Sequence, residues 1–302
     1  MLKTYIGNII IEYLKIFARL RLKSESPYII GITGSAGKTS TKEAIKLVLE
    51  KKYKVKVTEK GNSETGIPLE ILNIPITGYG FKDWIKYIIL APIQSLKKDK
   101  YEILIAEMGV DSPYYPKNMT HLLSILKPNI AILTNIGLVH ASNYDSLNID
   151  KSENTAKQLI YNEKSKIFKY AQYKIIDGDD EILKKNIDNN TLTIQTSPTR
   201  TGLQVLDIRY DLEKGTNIKY RYNNRDINIS IPNTILTESY KYTLGFAVLV
   251  GILKDLSIEE IQKQLSHFKS SPGRSNILRG INNSYILDGS YNASPESMND
   301  FI

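Results

Sequence analysis

Apolar residues recur every three or four positions over residues 2–23, the spacing that places them on one face of an α-helix. The positions are Leu2, Tyr5, Ile6, Ile9, Ile10, Tyr13, Leu14, Phe17 and Leu20. Basic side chains such as Lys15, Arg19 and Lys23 lie off this face. A basic amphipathic helix can pack against its own domain or lie on a membrane surface. We favour packing and keep a weak membrane-surface contact as the alternative.

Short apolar runs and helical patterns alternate through the next part of the chain. Strands are predicted at residues 28–32, 53–58, 103–106, 130–133 and 174–176, and helices at residues 40–51, 81–90 and 119–126. Strands that alternate with helices predict an α/β fold, with a mainly parallel sheet covered by helices on both faces.

From about residue 191 the pattern changes. Antiparallel strands joined by polar turns are predicted at residues 203–210, 217–222 and 226–231, followed by helices near residues 237–253 and 258–268. The segment Ser270-Ser271-Pro272-Gly273 indicates a boundary, and residues 276–288 a hairpin that turns at Asn282-Asn283. We therefore expect an N-terminal helix at residues 1–27, a large central domain at 28–270 and the beginning of another domain at 271–302.

The composition limits the possible classes of protein. The 302 residues are 41% hydrophobic and 24% charged, which is ordinary for a globular domain. The absence of cysteine excludes a disulfide framework, a cysteine-ligated zinc site and a thiol nucleophile. No apolar run reaches the roughly 18 residues that span a bilayer, and no signal peptide is visible, so we expect a cytoplasmic protein. The net charge of +8 is compatible with anionic partners, but no nucleic-acid partner is expected.

The loop after the first predicted strand carries the strongest chemical signal. Its residues are Thr33, Gly34, Ser35, Ala36, Gly37, Lys38 and Thr39. Glycines allow backbone N–H groups to converge on phosphate oxygens, and the following helix presents its positive end. Lys38 would neutralise β- and γ-phosphate charge, and the Thr39 hydroxyl would bind Mg²⁺. The general pattern G-x-x-x-x-G-K-[ST] is not strictly met, because Ile32 replaces its first glycine, but the strand–loop–helix context predicts phosphate binding.

Further motifs follow this loop along the chain. They are Gly61-Asn62 with Gly66-Ile67-Pro68-Leu69, Glu107-Met108-Gly109, Thr134-Asn135-Ile136-Gly137 with His140, Pro272-Gly273-Arg274, and Asp288-Gly289-Ser290-Tyr291-Asn292-Ala293-Ser294-Pro295. With the loop, they resemble the Mur ligases, the ATP-dependent amide ligases of peptidoglycan precursor synthesis. The resemblance is strongest to the MurF type, which adds D-alanyl-D-alanine to a UDP-muramoyl tripeptide.

This resemblance implies that residues 28–270 form an ATP-binding central domain with a P-loop NTPase-like fold. Such a ligase transfers the γ-phosphoryl group of ATP to a carboxylate, and an amine then attacks the acyl phosphate. Both steps build negative charge that cations and fixed donors stabilise. The resemblance implies that Glu107 and His140 are catalytic together with Lys38, and that they bind Mg²⁺ together with Thr39. Further nucleotide contacts are expected from Asn135, Arg274 and Asp288.

The family also uses a lysine carbamylated by CO₂, which lies downstream of the His140 counterpart near the start of a helix. Lys151 and Lys164 both follow His140. Lys164 lies in residues 160–167, whose helical pattern fits the family better but requires an insertion. We favour Lys164 and keep Lys151 as the alternative, and we expect Lys164 to point at the phosphate loop and Lys151 at solvent.

The chain departs from the family pattern in several places. Asp288-Gly289 replaces a usual pair of Asp residues, and Ser239 and Tyr242 replace a His and an Asn that approach the adenine, so base specificity stays open. Only residues 1–27 precede the ATP-binding domain and only residues 271–302 follow it. We therefore expect a fragment or shortened form that makes no amide product by itself.

Two other functions stay open. One is a related ligase of the folylpolyglutamate or cyanophycin synthetase type, and the other is a non-catalytic nucleotide-binding module that needs a partner. The sequence predicts no particular oligomeric state.

Overall fold

The computed structural model describes residues 2–211, 213–274, 276–282 and 284–290. The chain divides into two compact units. The first unit comprises Met1–Thr33, Tyr53–Ile132 and His140–Tyr173, and the second comprises Gly34–Lys52, Leu133–Val139 and Lys174–Ile302. The last part of the C-terminal motif, residues 291–295, lies outside the described residues.

Helices and strands alternate along most of the described chain. The α-helices are α1 (Leu2–Glu25), α2 (Lys38–Leu49), α3 (Gly66–Ile71), α4 (Phe81–Ser95), α5 (Met119–Ile125), α6 (Glu153–Lys164), α7 (Glu181–Lys184), α8 (Tyr240–Leu253) and α9 (Ile258–Leu265), with short 3-10 helices at Ala141–Tyr144 and Ser165–Tyr170. The strands are β1 (Tyr28–Thr33), β2 (Val55–Val57), β3 (Ile103–Glu107), β4 (Ile130–Leu133), β5 (Tyr173–Asp177), β6 (Thr191–Gln195), β7 (Gly202–Asp211), β8 (Gly215–Tyr222), β9 (Arg225–Pro232), β10 (Asn276–Arg279) and β11 (Tyr285–Asp288). No helix in the described part of the chain is long and apolar enough to cross a membrane.

Strands β1 to β9 are divided between the two units, and β10 and β11 form an antiparallel hairpin in the second unit. In the first unit the strand order is β2-β3-β1-β4, and β3 pairs in parallel with both β1 and β2. In the second unit the order is β5-β6-β7-β8-β9. Its first two pairings are parallel and its last two are antiparallel. The predicted α/β fold, a mainly parallel sheet with added antiparallel strands, is confirmed.

The prediction of antiparallel strands from residue 191 onward is wrong at its beginning. Strand β6 (Thr191–Gln195) was not predicted, and it pairs in parallel with both β5 and β7. Its sequence alternates threonine with apolar residues, and Thr191 and Thr193 are nevertheless buried. This alternation is a strand pattern, but over five residues it is short and lacks the continuous apolar run of the other parallel strands.

Helix α1 packs against its own unit, as favoured from its sequence, but the predicted face is partly wrong. Tyr5, Ile6, Ile9 and Leu20 of that face are exposed. Leu14, Ala18 and Leu22 recur at helical spacing, and all three are buried in the hydrophobic core of the first unit. Full burial of a leucine side chain contributes about 1.5–3 kcal/mol, so this face of α1 accounts for a substantial part of the stability of the unit.

Arg21 anchors α1 to the last turn of α4. Its side chain is fully buried, Nε donates to Glu25 Oε1 at 2.9 Å, and Nη1 donates to the Gln94 carbonyl at 2.7 Å. Its Nη2 lies 2.5 Å from Asp99 Oδ2. The last carbonyl groups of a helix lack intrahelical partners, so a cation there is favourable.

Candidate functional site

The loop between β1 and α2 belongs to the second unit from Gly34 onward. Gly37 occupies the N-cap position of α2 with φ 77°, and it offers no side chain to compete for the N–H groups of the first turn. The Nζ atom of Lys38 donates to the Gly34 carbonyl at 2.8 Å and to the Ser35 carbonyl at 3.2 Å. The lysine thus folds over a glycine-rich turn at the positive end of a helix, an arrangement that favours anions.

Glycine is required at position 34 for two independent reasons. Its φ of 148° lies in the region that L side chains rarely adopt, and a Cβ atom would stand 1.9 Å from Thr134 Oγ1. That hydroxyl donates to the Ala36 carbonyl at 2.6 Å, so Thr134 fixes the loop from the end of β4. A Cβ atom at Gly37, in contrast, would have no heavy atom within 4 Å.

Asn135 holds the same loop through its side chain. Its Oδ1 atom accepts from Ser35 N at 3.0 Å and from Ala36 N at 2.8 Å. Ser35 also exchanges hydrogen bonds with Gly137, whose N–H donates to Ser35 Oγ at 2.8 Å. Asn135 therefore fixes the backbone of the loop through these two N–H groups.

An acidic segment after β5 contacts the same region of the second unit, and sequence reasoning missed it. Asp180 Oδ2 accepts from Ile136 N at 2.8 Å, and Asp179 Oδ2 accepts from the Tyr242 hydroxyl at 2.9 Å. Burial, reinforced by the charges of Asp180 and Asp179, raises the pKa of Asp177 to about 8. The available signal was an Asp-Gly-Asp-Asp sequence directly after a predicted strand, where open α/β sheets place their ligands.

In the second unit, Arg274 lies just before β10, and Asp288 is the last residue of β11. The carbonyl of Arg274 accepts from the Tyr240 hydroxyl at 2.9 Å, and Asp288 Oδ2 accepts from Gly273 N at 3.0 Å. Hydrogen bonds from Ser290 and Gly273 hold the pKa of the Asp288 carboxyl below its ordinary value. Both predicted nucleotide contacts therefore belong to one hydrogen-bonded turn.

Glu107 is the last residue of β3 in the first unit, and its side chain is buried. Its N–H donates to Thr58 Oγ1 at 3.0 Å. The hydroxyl of Thr33, which was predicted to bind nucleotide, donates to the Met108 carbonyl at 2.8 Å. Thr33 thus ties the end of β1 to the turn that follows Glu107.

In the first unit, the motif Gly61-Asn62 packs its backbone against the backbone of Gly66. A Cβ atom at Gly61 would stand 2.5 Å from the carbonyl carbon of Gly66, so both positions need glycine. The Asn62 carbonyl accepts from Gly109 N at 2.7 Å. This loop therefore supports the turn after Glu107.

His140 and Lys164 both contact the segment that follows Glu107. His140 has φ 63°, and its Nε2 atom lies 3.3 Å from Asp111 Oδ1. The Nζ atom of Lys164 donates to the Val110 carbonyl at 3.4 Å. Three predicted site residues of the first unit, Glu107, His140 and Lys164, thus gather around residues 107–111.

The two candidate lysines for carbamylation differ in burial. Lys164 is buried, and it is both the last residue of α6 and the N-cap of the 3-10 helix Ser165–Tyr170. The neighbouring Glu163 accepts from Met119 N at 2.7 Å. Lys151 is exposed with φ 50° and lies just before α6 begins.

The buried Tyr144 was not singled out from the sequence. Its hydroxyl has no hydrogen-bond partner among the described residues.

These side chains can be compared with the ligands that Mg²⁺ prefers in proteins. Over the described residues, no group of three or more His, Cys, Asp or Glu side chains is arranged to hold a metal ion. Mg²⁺ commonly keeps several waters and uses one or two carboxylates with phosphate oxygens. Glu107 supplies a carboxylate of the kind that Mg²⁺ prefers, and His140 supplies an imidazole nitrogen.

Known proteins share sequence similarity with this chain. A family model described as the Mur ligase middle domain matches residues 32–236. The curated UDP-N-acetylmuramoyl-tripeptide–D-alanyl-D-alanine ligase of Rickettsia prowazekii is 29% identical over 304 residues, covering 98% of this chain and 59% of the relative. The ligase of the same name from Bacillus subtilis is 28% identical over 287 residues, covering 93% and 53%. The chain thus spans a little over half the length of these relatives.

A solved structure shows the same fold. The MurF ligase of Thermotoga maritima, in complex with ADP, matches with a TM-score of 0.74 at 23% identity, covering 96% of this chain and 60% of that chain.

Proposed function

Because the chain belongs to the Mur ligase family, we propose that it binds ATP at residues 34–39 and serves the phosphoryl-transfer step of an amide ligase of peptidoglycan precursor synthesis. The observation that carries this proposal is the loop itself. Gly34 and Gly37 adopt backbone angles that favour glycine, and Lys38 reaches over the turn at the positive end of α2. We place the activity in the cytoplasm.

The proposed substrates follow the relatives named above. A UDP-muramoyl tripeptide would supply the carboxylate, and D-alanyl-D-alanine would supply the attacking amine. The γ-phosphoryl group of ATP would pass to the carboxylate, and the amine would then displace phosphate. Lys38 would exchange its present carbonyl partners for β- and γ-phosphate oxygens, where its charge opposes the repulsion that builds in the transition state.

We keep Thr39, Glu107 and His140 as proposed Mg²⁺ ligands. The bound ion would neutralise charge on the phosphates, and the residues would hold it in place. The contact between His140 and Asp111 orients the imidazole, as partners of metal-binding histidines commonly do. We also keep Asn135, Arg274 and Asp288 as proposed nucleotide contacts.

A calorimetric titration with Mg-ATP tests the proposal. We expect the wild type to bind, and Lys38→Ala to abolish binding at concentrations that saturate the wild type. Lys38 would contact both the β- and the γ-phosphate, and each hydrogen bond to a charged group is worth about 1.5–3 kcal/mol, so the affinity should fall by more than about 100-fold. Lys46→Ala, in the last turn of the same helix, is the matched control and should bind as the wild type does. Equal affinities of the wild type and Lys38→Ala would refute the phosphate-loop assignment.

We further propose that Lys164 is the carbamylated lysine, because it is buried and contacts the segment that follows Glu107. A carbamate forms from a neutral amine and CO₂, and the resulting anion needs a cation nearby, which Mg²⁺ would supply. With ¹³C-bicarbonate and Mg²⁺, we expect a carbamate resonance that Lys164→Ala removes and Lys151→Ala leaves intact. The reverse pattern would assign the carbamate to Lys151.

A further inference from the structure

Helix α4 presents an apolar row to solvent. Phe81, Ile85, Ile89 and Ile93 recur every four residues, so they lie above one another along a helix of about 22 Å. With Leu96 just beyond the helix, their exposed fractions lie between 43% and 86%. The opposite side of the helix is buried through Tyr87 and Ala91. The helix is therefore apolar on the side where solvent-facing helices are polar.

Helix α1 has the same unusual feature. Tyr5, Ile6, Ile9, Ile16 and Leu20 are exposed to between 48% and 67%, although the other face of the helix is already packed in the core. Contiguous exposed apolar surface of this kind marks an interaction site in proteins.

The two helices are neighbours within the first unit. The Tyr13 hydroxyl of α1 donates to the Ile88 carbonyl of α4 at 3.0 Å, and Arg21 Nη1 donates to the Gln94 carbonyl at 2.7 Å. The exposed apolar rows therefore belong to one pair of packed helices, which we call the α1–α4 surface and define by residues 2–25 and 81–100.

This surface is also strongly basic. Residues 2–25 contain five basic and two acidic residues, and residues 81–100 contain five and two as well, so the two segments carry six of the eight net positive charges of the chain. Lys82 and Lys86 are exposed and each follows directly after a member of the apolar row of α4. Asp83, the acidic residue of this helix, is engaged at its N terminus with Thr77 and Gly80.

We propose that the α1–α4 surface docks on an anionic phospholipid bilayer. Helices of this type lie in the plane of the interface, with apolar side chains about 5–10 Å deep and lysines near the head groups. Lys and Arg near an anionic surface each contribute to attraction, so the clustered charge complements this partner. A second copy of the chain fits less well, because an isologous contact would oppose two surfaces of the same positive charge.

Vesicle flotation with the full 302-residue chain tests this proposal. We expect binding to vesicles that mix phosphatidylglycerol with phosphatidylcholine, and much weaker binding to pure phosphatidylcholine. Raising the salt to about 1 M, where the Debye length falls to about 3 Å, should reduce binding to the anionic vesicles. Equal binding to both vesicle types, or no binding to either, would overturn the proposal.

Two pairs of substitutions separate the charge from the apolar contribution. Lys82→Gln with Lys86→Gln should lower partitioning about 25-fold, which corresponds to about 1 kcal/mol for each basic residue. Phe81→Ser with Ile89→Ser should lower it about 100-fold, because two large apolar side chains no longer leave water. All four positions are exposed, so the melting temperature should change little.

Matched controls come from exposed positions outside the α1–α4 surface. Arg209→Gln with Lys214→Gln, and Ile149→Ser with Ile187→Ser, should bind vesicles as the wild type does. If a control pair loses as much binding as its counterpart, the α1–α4 surface is not the docking site. A dimer in light scattering that Phe81→Ser with Ile89→Ser dissociates, without vesicle binding by the wild type, would instead assign the surface to a second copy. None of these outcomes depends on ATP binding.

Discussion

Replacing Gly34 by alanine should damage the loop in two separable ways. The residue would have to keep φ 148°, and its new Cβ atom would stand 1.9 Å from Thr134 Oγ1 and 3.1 Å from Thr134 N. Unusual backbone angles at non-glycine residues cost about 1–3 kcal/mol, and forced overlap in a packed site costs a further 1–3 kcal/mol or so. We therefore expect the free energy of unfolding to fall by about 2–6 kcal/mol, with Mg-ATP affinity lost as well.

The control for this variant is Gly37→Ala. Gly37 has φ 77°, but a Cβ atom there would meet nothing within 4 Å, so the expected cost is the backbone term of about 1–2 kcal/mol. Removing the hydroxyl with Thr134→Ala should relieve part of the Gly34→Ala penalty, although it also removes the hydrogen bond to the Ala36 carbonyl. The double variant should therefore be less destabilised than the sum of the single variants.

Urea denaturation of the wild type and the four variants measures these differences, and calorimetric titration reports the matching loss of Mg-ATP affinity. If Gly34→Ala destabilises no more than Gly37→Ala, the close approach of Thr134 is not what requires glycine at position 34. Additivity of Gly34→Ala and Thr134→Ala would lead to the same conclusion.

Two further predictions concern stability. Arg21→Ala should lower the unfolding free energy by about 3–5 kcal/mol, because it leaves the Glu25 carboxylate buried without its cation, whereas exposed Arg19→Ala should be nearly neutral in urea denaturation. Asp177 has a folded pKa of about 8, raised above its unfolded value, so its stabilising contribution is present below about pH 4 and is lost as the pH rises to 8, by up to about 1.4 kcal/mol per pH unit. Asp177→Asn should remove this dependence, and a wild-type minus Asp177→Asn difference that is flat between pH 4 and 8 would contradict the assignment.

The phosphate loop could be predicted from the sequence because its requirements are local. An apolar strand, closely spaced glycines and a lysine at a helix start define the turn without reference to the rest of the chain. The contacts of Asn135 with Ser35 and Ala36 depend on how β4 and β1 are placed, and the sequence alone does not fix that placement. The motif identified Asn135, but not its contacts with the loop backbone.

The exposed faces of the helices, strand β6 and the burial of Asp177 depend on which parts of the chain pack against each other. Periodicity predicted α1 and the helix at residues 81–90, but it did not show which apolar side chains of each helix would stay in solvent. Strand β6 was missed because it is only five residues long, although its β-branched threonines and their alternation with apolar residues favour a strand. The neighbouring Asp179 and Asp180 are visible in the sequence, but the larger cause of the raised pKa of Asp177 is its burial, which the sequence does not show.

Residues 34–39 should bind the phosphates of a nucleotide, and affinity for a series of nucleotides measures this binding. Calorimetric titration of the wild type with ATP, ADP and AMP, each with Mg²⁺, varies the phosphates while the base stays constant. Because the loop and Lys38 would contact the β- and γ-phosphates, ATP and ADP should bind at least about tenfold more tightly than AMP. Equal affinity for all three nucleotides, or tighter binding of AMP, would contradict the claim.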